Sequence, residues 1–122
     1  MGWDTLAALQ FIRSHASSTS HNRCAEYTRR AVEAGGVRLE HHADAKDYGR
    51  SLKQAGFIEI QPGMNLIAGD VVVIQPYSGG NPSGHMAMFD GQRWYSDFLQ
   101  RTMYPGPGYR QHQPPYQIYR MN

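Results

Sequence analysis

The chain uses cysteine once, at Cys24 in the stretch SHNRCAEYTRR, residues 20–30. A lone thiol is most often a small buried hydrophobe. It becomes a nucleophile where the local field stabilises its thiolate. A polar run precedes Cys24 and a helix-forming run follows it, which puts the residue in the first turn of a helix. Unpaired backbone N–H groups and the helix dipole favour negative charge there, so the position predicts a thiol pKa lowered from ~8.5. Packing of the helix against a sheet is the competing reading, and both stay open at this point.

A nucleophile needs a base, and the chain has six histidines. His15 and His21 lie in or beside a polar loop, His41 and His42 follow the second helix, and His112 lies in a proline-rich segment. His85 follows NPSG and opens an apolar strand, so a loop delivers it to the end of a sheet while the strand fixes its backbone. Its bland reading is a strand-end histidine bonded to a loop carbonyl. The base in turn needs an orienting group. Asp97 lies about as far beyond the Asp90-Gly91 turn as His85 lies before it, which makes the two cross-strand neighbours in a regular hairpin. A bulge of one residue would put Ser96 there instead, and a solvated strand Asp is the plain alternative. Tyr27, one turn along the helix from Cys24, either lines the cleft or packs in the core. His41, His42 and Asp44 do not make a metal site, because adjacent side chains diverge and a fourth ligand is missing. SGGNPSG is not a phosphate loop, since no Gly-Lys-Ser/Thr follows it.

The elements that would hold these groups read as helices first and strands after. Residues 5–14 form a helix capped by Asp4 or Thr5, with Leu6, Leu9 and Ile12 on one face. Residues 22–34 form a second, with Cys24, Tyr27, Thr28 and Ala31 inward and Gly35-Gly36 as its stop. A third spans 45–55, capped by Asp44, with Ala45, Tyr48 and Leu52 inward. Strands follow at GFIEI, at Val71 to Ile74, at HMAMFD, at RWYSDFLQ and at YQIYRM, with Asp90-Gly91 turning a hairpin. YPGPGYRQHQPP reads as irregular. The expected class is α+β, with N-terminal helices packed on an antiparallel sheet.

The 122 residues fit one domain, 1–122, with a real core. Forty per cent hydrophobic residues and 18% charged ones exclude a disordered tail. No apolar run reaches the ~20 residues that span a bilayer, so no membrane insertion is expected. The N-terminus lacks the pattern of a secretory signal. One cysteine excludes a disulfide framework, so synthesis in a reducing cytoplasm is expected. A net charge of +2 suits an anionic partner such as cell wall, and scattered arginines give no nucleic-acid footprint.

NRCAEYTRRAVEAGG, AGDVVVI and SGHMAMFDGQRWYSDF together resemble the papain-like NlpC-type and CHAP cysteine peptidases that cleave peptidoglycan. The resemblance covers roughly residues 20–100. Cys24, Asp70, His85 and Asp97 follow the family's order. Asp97 departs from the His, Asn, Glu or Gln common at the third position. Small size without a signal peptide is similar to the amidase effectors of type VI secretion systems. The resemblance implies a Cys24–His85 hydrolase of stem-peptide amides, with Asp97 as third catalytic residue. Tyr27 and Ser96 would touch substrate, and no cofactor is needed. It also implies action in the periplasm or wall and an immunity protein as partner. Two alternatives stand beside it: an idle wall-binding or interaction module of the same fold, and a cysteine acyltransferase acting on protein or lipid.

Overall fold

The computed structural model describes residues 2–122. Helix α1 runs Thr5–His15, and Asp4 caps it by accepting the Ala7 N–H at 3.1 Å. Ala8, Leu9 and Ile12 form its buried stripe. Leu6, expected inward, is 61% exposed. At 3.6 residues per turn Ala8 and Ile12 mark the centre of that stripe, and Leu6 falls off its edge.

Helix α2, Cys24–Ala34, packs on α1 and on the sheet, with Thr28, Ala31 and Val32 buried. It starts two residues later than its sequence suggests. Asn22 takes a left-handed backbone, φ 62°, and Arg23 is a non-helical cap, so Cys24 becomes the first helical residue. The third helix divides into a 3-10 turn, Ala45–Asp47, and α3, Tyr48–Gln54. Ala45, Tyr48 and Leu52 are buried as their spacing requires. Asp44 occupies the N-cap position of this turn, as expected, but its side chain makes no cap bond. Its carboxylate accepts from the Ser83 hydroxyl at 2.7 Å, and the Lys46 N–H donates to the Ser83 carbonyl at 2.8 Å. The loop before His85 is thereby pinned to the helical layer.

Five antiparallel strands make one sheet in the order β1-β5-β2-β3-β4: β1 Phe57–Ile60, β2 Val71–Ile74, β3 His85–Phe89, β4 Trp94–Tyr95 and β5 Tyr116–Met121. β2 is an unbroken apolar run because both faces of the sheet are covered. Val71 and Val73 join Met86, Met88 and the helices on one side. Val72 and Ile74 join Ala87, Trp94 and Ile118 on the other. Each buried Val, Ile or Met among them contributes about 1.5–3 kcal/mol. The second face is covered by Met103 and by Tyr104 and Tyr109, the last two from the stretch whose sequence suggested only irregular chain. It contains helix α4, Pro107–His112, opened by a proline whose φ is already helical. Asp70 closes the far end of the sheet. It is fully buried and takes a two-pronged bond from Arg120 of β5, both arms 2.8 Å.

The hairpin after β3 departs most from its sequence. Asp90-Gly91 turns it as expected, with Asp90 Oδ1 accepting from the backbone of Gln92 and Arg93. RWYSDFLQ does not continue as one strand, because only Trp94 and Tyr95 pair with β3. The chain then doubles back. Tyr95 bridges Leu99, Gln100 N–H donates to the Trp94 carbonyl at 2.9 Å, and Phe98 pairs with Ser17.

Among the described residues no helix is long and apolar enough to cross a membrane.

Candidate active site

Cys24, first residue of α2, and His85, first residue of β3, line one cleft of about 270 Å³. Asn22, Gly84 and Tyr109 complete the walls nearest them. The Cys24 thiol faces the backbone N–H of Met86, next to His85 in the strand. Gly84 explains how the histidine gets there. Its φ is +74°, and a Cβ at this position would stand 2.5 Å from the Ile74 carbonyl oxygen. Only glycine lets the loop turn into β3 this close to β2.

His85 is 6% exposed, and its Nε2 stands 2.6 Å from Gln100 Oε1. The Gln100 amide is held in turn. Its Nε2 donates to the carbonyls of Thr102 and Met103, at 2.9 and 3.0 Å. With both N–H groups used on carbonyls, Oε1 is the acceptor, so His85 carries its proton on Nε2. Nδ1 is then the unprotonated nitrogen. The expected partner Asp97 is absent from the hydrogen bonds of His85 among the described residues. Its carboxylate is fully buried and turned toward α2, where Oδ2 accepts the N–H groups of His21 at 2.8 Å and Arg23 at 2.9 Å. The doubling-back of residues 96–99 carries Asp97 to that helix and brings Gln100 to the histidine instead.

The electrostatics also differ from what helix position alone predicts. Burial pushes the Cys24 thiol up to about 11, against the pull of the Met86 N–H, and the Asp97 charge pushes the same way. The start of α2 already holds a carboxylate, so it offers a thiolate less than an empty helix end would. Burial likewise drives His85 down to about 4, while the Gln100 bond and the Asp97 charge resist. The resting pair is a neutral thiol and a neutral imidazole. Such a pair can transfer a proton as the sulfur attacks a carbonyl, and so can carry acyl transfer.

No family model and no curated protein sequence matches the chain. Solved structures do. A chain of the type VI native effector–immunity complex Tae3-Tai3 from Ralstonia pickettii is 45% identical to this one. The two superimpose with a TM-score of 0.91 over 98% of this chain and 100% of that chain. The selenomethionine form of the same complex matches at 47% identity and a TM-score of 0.88, over 93% and 99% of the two chains. The chain belongs to the Tae3 family of type VI effectors. In this Tae3-family chain the cleft spans the two segments whose motifs stood out in the sequence.

The other expected site residues fall elsewhere in this Tae3-family chain. Tyr27 does not line the cleft. It is half-buried, and its hydroxyl is 3.2 Å from His21 Nε2. Ser96 is fully buried behind the site, donating to Asp97 Oδ1 at 3.3 Å, out of reach of a ligand. Two residues were missed. Gln100 looked like the end of a strand, and only the backbone's doubling-back gives it a role. Tyr109 lies on α4, and its ring centroid is 6.0 Å from that of His85. Its aromatic type within a Pro- and Gly-rich stretch was the one available signal. Among the described residues no cluster of His, Cys, Asp and Glu is arranged to hold a metal ion.

Proposed function

We propose that this effector is a papain-like cysteine amidase of the NlpC and CHAP type that cleaves an amide in the peptide stems of peptidoglycan. The observation that carries the reading is the Cys24–His85 pair in one cleft, with the tautomer of His85 fixed by Gln100. Nδ1 of His85 takes the thiol proton as Cys24 Sγ attacks the amide carbon. The imidazolium gives that proton to the departing amine. Nδ1 then activates a water that releases the acyl group from sulfur. The Cys24 backbone N–H, at the start of α2, is a donor for the oxyanion. Asp97 stabilises the transient imidazolium through space and positions Cys24 through the backbone of Arg23. The family relationship supports action in the periplasm of a target cell and a cognate immunity protein as partner.

A half-buried, neutral thiol is also what an idle wall-binding module of the same fold would show. Mass spectrometry of purified peptidoglycan after incubation decides between them. New peptide termini from the wild type, and none from Cys24→Ala, support the amidase. Undigested sacculi that nonetheless retain the protein support the idle module.

A further inference from the structure

A second groove is larger than the Cys24 cleft. It lies beside the start of β5, with a volume of about 560 Å³ against about 270 Å³ for the cleft. Binding sites for small ligands and cofactors fall in the range of roughly 300–1,000 Å³. Among the described residues none that lines it carries a charge. Two tyrosines stand in it nearly perpendicular, Tyr104 and Tyr116, with ring centroids 6.0 Å apart. The Tyr104 hydroxyl is tied to the Pro114 carbonyl at 2.7 Å, so that ring is fixed. Tyr116 is 45% exposed. Gln61 and Gln113 stand exposed at its rim. Gln117 spends its N–H groups on the carbonyls of Ile60 and Ile118, both at 3.0 Å, which leaves Oε1 to accept.

We propose that this groove is a glycan subsite, which binds an uncharged N-acetylhexosamine strand of the polymer while the Cys24 cleft takes its peptide. The inference rests on the peptidoglycan reading above. Its chemistry follows from the lining. Tyrosine faces pack against the C–H faces of sugar rings, and the glutamines meet hydroxyl and acetamido groups. Met64 offers the acetamido methyl an apolar contact. Stem peptides carry carboxylates and ammonium groups, and this lining offers neither a charged partner. The two sites share a wall: Tyr104 lines the groove, and its neighbours Pro105 and Gly106 line the cleft. A strand lying in the groove therefore brings its attached peptide across that wall toward Cys24.

The test uses the full chain and the N-acetylglucosamine tetramer chitotetraose, with binding followed by saturation-transfer NMR. Wild type should bind it, and Tyr116→Ala should weaken binding about tenfold. Gln61→Ala, on an exposed loop, repeats the test where folding is not at stake and should also weaken it. Hydrolysis is measured in parallel on intact sacculi and on a glycan-free cross-linked stem peptide. Tyr116→Ala should lose about tenfold more kcat/KM on sacculi than on the free peptide. No transfer to chitotetraose from the wild type would overturn the proposal, as would equal losses on both substrates. So would a Tyr116→Ala defect seen only in binding the immunity protein. Chitotetraose binding that needs Tyr116, without hydrolysis of either substrate, would uphold the groove and overturn the amidase reading instead.

Discussion

Cys24 and His85 line one cleft as neutral groups, and this sets how the thiol should behave. A preformed thiolate–imidazolium pair alkylates at a rate that is flat across neutral pH. Here the thiol is held up at about 11 and the imidazole down at about 4. Iodoacetamide should therefore react slowly at pH 7 and faster with each unit of rising pH toward 11. A plateau between pH 5 and 9 would show an ion pair and refute the neutral resting state. Gln100 is the second residue-scale test. Its loss frees the imidazole to rotate and leaves Nε2–H buried without an acceptor. Gln100→Ala should cost about 1–2 kcal/mol of transition-state stabilisation, roughly tenfold or more in kcat/KM. Gln100→Glu should raise the acid limb of the pH–rate profile, because a carboxylate favours the imidazolium. An unchanged profile in that variant would remove Gln100 from the orienting role. At this scale Cys24 and His85 were legible, since one thiol at a helix start and one histidine at a strand start are local signals. Gln100 was not, because nothing local announces a reversal at residues 96–99.

At the scale of elements, two joints position the site. The first is the Asp97 carboxylate at the start of α2, which serves as a cap delivered from the reversal after β4. Asp97→Ala leaves the N–H groups of His21 and Arg23 without their acceptor, at about 1–3 kcal/mol each where water cannot replace it. Denaturant melts should show a loss of that order, larger than for Ser96→Ala. A loss smaller than that of Ser96→Ala would mean that the joint is not the cap. The second joint is Gly84. Gly84→Ala meets the Ile74 carbonyl and needs an unfavourable φ, so it should disturb His85 and lower activity more than it lowers the melting temperature. A hairpin with alternating residues was the natural expectation for 85–100. The chain instead leaves the ladder after Tyr95 and doubles back, which takes the Asp97 carboxylate to the start of α2. The segment 104–115 was opaque for another reason. Its proline and glycine content hid a short helix that is held by packing on the sheet rather than by intrinsic propensity.

For the molecule as a whole, burial of His85 couples the site to stability. A histidine that titrates near 4 when folded and near 6.5 when unfolded binds fewer protons in the folded state. Its contribution is fully present above pH 6.5 and is lost as pH falls through 4, amounting to about 3 kcal/mol. Melts of wild type and His85→Gln should converge as the pH drops across that window. A constant difference would mean that the imidazole is not buried as described. The general layout, with helices first and an antiparallel sheet after, was readable from the periodicity of the chain. The doubly covered sheet was signalled only by the unbroken VVVI of β2. Whole-cell behaviour follows from the proposed substrate. The protein should be harmless in the bacterial cytoplasm and lytic when fused to a periplasmic export signal, and Cys24→Ala should abolish lysis. Toxicity confined to the cytoplasmic form would point to an intracellular target.

The central claim is that Cys24 and His85 act as one catalytic unit on peptidoglycan amides. The most direct measurement is the rate at which new amines appear from purified sacculi, for wild type, Cys24→Ala, His85→Ala and the double variant. Either single change should reduce the rate to near background, and the double variant should lose little more. A Cys24→Ala protein that digests sacculi at the wild-type rate, or losses that simply multiply in the double variant, would contradict it.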